Sequence, residues 1–81
     1  MTKTIYEPAY RALVGRLRQR RVELGLRQDD VGKRLGLSAD WISKIENGIT
    51  RLDLVHLVRL CRVYDVPADD LVRRIQEELP E

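Results

Sequence analysis

Apolar residues along this chain recur every three or four positions and do not alternate, which predicts helices and no strands. Tyr10, Leu13, Val14, Leu17 and Leu24 mark one face of a helix over about 8–24, with Pro8 in its first turn and Gly25 as its stop. Arg21 interrupts that face, and an arginine there needs a carboxylate partner to offset its desolvation. A second helix is predicted over about 28–35, with Asp29 and Asp30 suited to the positive end of its dipole. A third runs over about 39–47, capped by Ser38, with Ile42 and Ile45 inward and Glu46 near the same face. Asn47-Gly48 ends it, as residues that readily take positive φ. A fourth, over about 53–64, is capped by Asp53; Leu54, Leu57, Val58 and Cys61 form its main stripe, with Val55, Leu60 and Val63 elsewhere. Pro67 opens a fifth, striped by Leu71, Val72, Ile75 and Leu79. The expectation is one all-α domain over residues 1–81, with its core at about 8–79 and residues 1–7 flexible.

The second and third helices carry the sharpest local signal, the run QDDVGKRLGLSADWISKI at residues 28–45. Val31, Leu35, Leu37, Ile42 and Ile45 would all face one core. Gly32 leaves room for a close helix crossing, and Gly36 supplies the left-handed residue that a tight helix exit needs. Two short helices locked at a sharp turn most often serve to place the second in the major groove of DNA.

Charge adds direction to this shape. The net charge of +2 divides into +5 over residues 1–36 (nine basic, four acidic), zero over 37–52 and −3 over 53–81 (four basic, seven acidic). A basic front and an acidic back orient a protein on a polyanion. The lone Cys61 excludes an internal disulfide and fits a reducing compartment. No run approaches the roughly 20 apolar residues of a membrane span, and MTKTIYEP lacks the apolar core of a signal peptide. A cytoplasmic protein with no membrane contact is expected.

Enzyme chemistry finds little support. His56 has no Cys, Asp or Glu partners at convincing metal-ligand spacing, and Cys61 falls on a core stripe, where a structural thiol is the default. The glycines are scattered at helix ends and crossings, so no phosphate-cradling loop forms. Asp69-Asp70 and Glu77-Glu78 read as a solvated helix face. The expectation is no enzyme, no cofactor and no metal.

With LRQRRVELGLRQDDVGKRLGLSADWISKIENG followed by RLDLVHLVRLCRVYDVPADDL, the chain resembles the Cro/repressor-type helix-turn-helix family, also termed lambda-repressor-like or xenobiotic-response-element-like. The resemblance covers about residues 13–71. It implies a compact five-helix lambda-repressor-like domain whose third helix is the recognition helix. Gln28 then matches a glutamine that bonds a DNA phosphate and buttresses the recognition helix. Asn47 matches a position that approaches phosphate, and Thr50 and Arg51 match loop positions that often meet the backbone. Arg21 and Glu46 match a pair that forms a buried salt bridge in several relatives, in agreement with their places near apolar stripes. Arg27 replaces the usual Ser/Thr cap, which should weaken the second helix by about 1 kcal/mol while adding a cation beside the phosphate-facing surface.

Base reading would fall to Ala39, Asp40, Ser43 and Lys44 at the exposed start of the third helix. Lys44 can donate to guanine O6 or N7, and Ser43 can meet a base or a phosphate. Relatives place two glutamines at the positions of Ala39 and Asp40. Ala39 offers only apolar contact, for instance to a thymine methyl. Asp40 can accept from cytosine N4, orient Lys44 four residues on, or simply serve the helix dipole. Trp41 can donate its indole N–H to a phosphate while its ring packs on the second helix, or it can be a core-edge aromatic.

The expected function is a transcriptional regulator, a repressor binding a palindromic operator on double-stranded DNA as a homodimer through its fourth and fifth helices. It would be bacterial or phage-encoded and nucleoid-associated when bound. Two alternatives stand beside it. One is an antitoxin that binds a toxin as separate protein partner and represses its own operon. The other is an interaction module that kept the fold without DNA binding.

Overall fold

Five helices and the turns between them account for the described residues: α1 (Pro8–Glu23), α2 (Gln28–Leu35), α3 (Ala39–Glu46), α4 (Leu54–Tyr64) and α5 (Ala68–Glu78). The computed structural model describes residues 7–80, so of the flexible leader expected over residues 1–7 all but Glu7 lies outside the described residues. No helix among them is long and apolar enough to cross a membrane. The fold is all-α, as the periodicity predicts.

Each helix begins and ends for a local reason. Glu7 precedes α1, whose first residue Pro8 has no N–H to leave unpaired. Ser38 accepts from the Trp41 N–H at 3.1 Å and Asp53 from the His56 N–H at 2.8 Å, so both capping serine and capping aspartate satisfy a first-turn donor. Arg27 has no side-chain acceptor to offer at the start of α2. Asp30 supplies the missing half by accepting from the Arg27 backbone N–H at 2.8 Å, which offsets part of the expected weakening. Its carboxyl is held below the usual range by that bond and then by the Arg27 side chain. At the far ends, Gly25, Gly36 and Gly48 take left-handed φ, whereas Asn47 keeps φ −93° and leaves the reversal to Gly48.

α2 and α3 cross so closely that no side chain fits between them. A Cβ on Gly32 would lie 2.5 Å from the Leu37 carbonyl oxygen and 3.1 Å from the Ser38 carbonyl carbon. The same turn is closed by the Leu37 N–H donating to the Gly32 carbonyl at 2.8 Å. Behind this pair α1 packs against α3, α4 and α5. Leu13, Leu17, Val31, Leu35, Ile42, Ile45, Leu57, Leu60, Cys61, Tyr64 and Leu71 join in one core. Burial pushes the Tyr64 hydroxyl up to about 12 and raises the Cys61 thiol, the reverse of what a nucleophile needs.

Two expectations of packing are corrected. Leu24 lies past the end of α1 and is exposed. Leu54 is 70% exposed and Val58 is exposed too, while Leu60 and Tyr64 take the inward face of α4. That helix is apolar nearly all round, so spacing alone cannot say which stripe turns inward. α5 packs in cis: Leu71 is buried, and Glu78 binds the Arg16 guanidinium of α1 through both oxygens at 3.1 and 2.8 Å.

Gly32→Ala is expected to cost about 1–3 kcal/mol by forcing apart backbone that cannot yield, lowering Tm by roughly 5–20 °C. A thermal melt followed by circular dichroism checks this. The Arg16 hydrogen bond holds the Glu78 carboxyl below the usual carboxylate range. Its stabilising contribution is therefore present above the unfolded value and is lost as pH falls through the folded one. Melts of the wild type and Glu78→Gln should differ at neutral pH and converge below about pH 4.

Candidate nucleic-acid interface

The face built by α3, the start of α2 and the loop over residues 47–53 is organised by one carboxylate. Glu46 ends α3 with a side chain only 7% exposed. It accepts from Arg21 Nε at 2.7 Å and from Arg21 Nη2 at 3.0 Å, a two-pronged pairing that fixes the guanidinium plane. Arg21 spends a further N–H on the Leu26 carbonyl at 2.8 Å, inside the turn that leads to α2. Gln28, the first residue of α2, donates its side-chain amide to Glu46 Oε1 at 3.0 Å. The carboxylate raises the Arg21 pKa above its ordinary value through these hydrogen bonds, against the opposing pull of burial. Three elements thus meet at two oxygens.

On the outer face of α3, Asp40 and Lys44 are exposed and Ala39 and Ser43 are half-buried. Lys44 Nζ lies 3.1 Å from Asp40 Oδ2, so the aspartate does orient the lysine along the helix. Asn47 turns its side-chain amide back onto the helix end, donating to the Ser43 carbonyl at 2.9 Å and to Ser43 Oγ at 3.2 Å. The loop beyond it is held at both ends. Ile49 and Thr50 N–H groups donate to the Lys44 carbonyl, and the Leu52 N–H donates to the Tyr10 hydroxyl at 2.9 Å. Thr50 is half-buried in this loop, and Arg51 is exposed beside an apolar cleft lined by Ala9, Tyr10, Ile75 and Leu79. Arg27 is exposed at the entrance to α2.

Trp41 is half-buried against the core, and its aromatic neighbour is His56 of α4, at a centroid distance of 4.8 Å and an interplanar angle of 52°. Two further residues were not legible as part of this surface. Arg18 is 63% exposed but lies 3.7 Å from Glu46 Oε1, one turn before Arg21 on the same helix. That three-residue spacing was the available signal. His56 carried no such signal, because only tertiary packing brings α4 against the start of α3.

Glu46→Ala leaves Arg21 buried without its partner and removes the acceptor of Gln28. A loss of about 3–5 kcal/mol is expected, measured by chemical denaturation, with Glu46→Gln costing less because one acceptor oxygen remains. An unchanged midpoint for Glu46→Ala would show that the pair does not hold the helices together.

Comparison with known proteins agrees with this geometry. No curated protein matches the chain. A family model described as a helix-turn-helix domain matches residues 12–75, a span that contains α2, α3 and α4 entire and most of α1 and α5. With that match over most of its length, the chain belongs to the helix-turn-helix domain family, a family of DNA-binding domains.

Proposed function

We propose that this protein is a transcriptional regulator, a repressor that binds a palindromic operator as a homodimer with α3 in the major groove. The observation that carries this reading is the Glu46 junction. It presents α3 as a rigid ridge, with Asp40 and Lys44 outward and Gln28 fixed at its flank. Gln28, Arg27, Asn47, Thr50 and Arg51 would set register on phosphates, and Ala39, Ser43 and Lys44 would meet base edges. The Asp40–Lys44 pair is exposed, so breaking it to free Lys44 for a guanine costs little. Repression would follow from occupying sequence that polymerase needs.

The homodimer rests on apolar surface that the single chain leaves uncovered. Leu54, Val55 and Val58 of α4 are exposed, as are Val72 of α5 and Leu79 just after it. A self-complementary contact through these helices closes a two-fold dimer and sets two recognition helices about 34 Å apart, one turn of duplex.

Fragments selected from genomic DNA supply the operator, and affinity for it and for random duplex is then measured at two salt concentrations. The wild type should weaken steeply with salt on both. Lys44→Ala should lose about tenfold or more on the operator and little on random duplex, since one good base contact is worth about 1–3 kcal/mol. Equal losses would make Lys44 a phosphate contact, and no binding at either salt would sink the regulator reading. Val55→Asp should turn a sedimenting dimer into a monomer, and a wild type already monomeric on DNA would exclude the two-fold model.

A further inference from the structure

The start of α3 is tied to α4 by a chain of three side chains, Asp53, His56 and Trp41. Asp53 caps α4 and uses both carboxylate oxygens on one residue. Oδ1 accepts from the His56 backbone N–H at 2.8 Å, and Oδ2 lies 3.0 Å from His56 Nδ1. The imidazole is thereby fixed in plane and direction, and Trp41 of α3 rests against it at 4.8 Å. Arg59, one turn along α4, sends its guanidinium elsewhere, to the Leu35 carbonyl at 2.9 Å.

What the chain of contacts holds is a free donor. Among the described residues, the bond that Trp41 donates within the protein is from its backbone N–H to Ser38. Among the described residues no buried side-chain polar atom lacks a partner, so the unbonded indole Nε1–H opens to solvent. An indole N–H is a donor only, and Trp41 stands in the first turn of α3. A phosphodiester oxygen is an acceptor only, with a charge that strengthens the bond.

We infer that His56 is a positioning residue for DNA binding, holding the Trp41 indole so that its N–H meets a backbone phosphate, with Asp53 orienting His56. The inference rests on the regulator reading above and adds a contact relayed from α4. It acts on every sequence alike, because the acceptor is a phosphate.

Trp41 is the single tryptophan, so its fluorescence reports this site alone. The probe is a 20-base-pair duplex of random sequence. His56→Ala should bind it about tenfold more weakly than the wild type, and Trp41→Phe should do the same, each in keeping with one hydrogen bond to a charged group. Added to Trp41→Phe, His56→Ala should cost nothing further, because the two act through one contact. His56→Phe, which keeps a ring against the indole but not its bond to Asp53, should recover only part of the lost affinity. The Trp41 emission should change when the wild type binds the duplex and change less in His56→Ala.

Additive losses in the double variant, or a His56→Ala protein that binds like the wild type, would overturn the assignment and leave the regulator reading intact. A wild type that binds no duplex would overturn both. Melting curves of each variant separate lost affinity from lost fold.

Discussion

A carboxylate has two oxygens, and in this protein the seating of α3 depends on how the two oxygens of Glu46 are shared. Arg21 reaches them from α1 and Gln28 from α2, while Glu46 itself ends α3. A desolvated ion pair contributes little net stability compared with an apolar pair of equal volume, but it is demanding in geometry. Greasy contacts would let α3 slide or roll by a fraction of a turn. A two-pronged guanidinium bond fixes the end of the helix in plane and along its axis. The pair therefore acts on where the helix lies more than on whether it forms.

The close crossing at Gly32 supplies the complementary constraint. Glu46 fixes the C-terminal end of α3, and Gly32 lets its N-terminal end seat against the backbone of α2 with no side chain between. Val31, Ile42 and Ile45 fill the space below. An eight-residue helix is too short to persist in water by itself. Held at both ends and underneath, it becomes a fixed edge that can enter a groove without first paying to become ordered.

Much of this was legible because the signals are local. Ser38 and Asp53 announce caps from their own side chains, the bounds of α2 fall where Gln28 and Gly36 put them, and Gly32 declares a close approach by lacking a Cβ. Arg21 was legible as a misfit on an apolar stripe, and the family resemblance supplied its partner. The sequence misled where a helix is apolar on several sides: Leu54 and Leu60 both fit a helical stripe, and only the position of α1 decides between them. It was silent on contacts that join distant segments. The Tyr10 hydroxyl and the Leu52 N–H are 42 residues apart, and Arg59 and the Leu35 carbonyl are 24 apart. Neither member of such a pair carries a mark of the other.

The Tyr10–Leu52 bond has a consequence for where this unit can be cut. The family match begins at residue 12 and stops at residue 75, yet the latch on the loop behind α3 is Tyr10, and the clasp between α1 and α5 is Glu78. Both lie outside the matched span. A fragment trimmed to the match would retain every residue of the helix-turn-helix and lose the two fastenings that hold its loop and its last helix. The mechanical boundary of this domain is wider than its sequence signature at both ends.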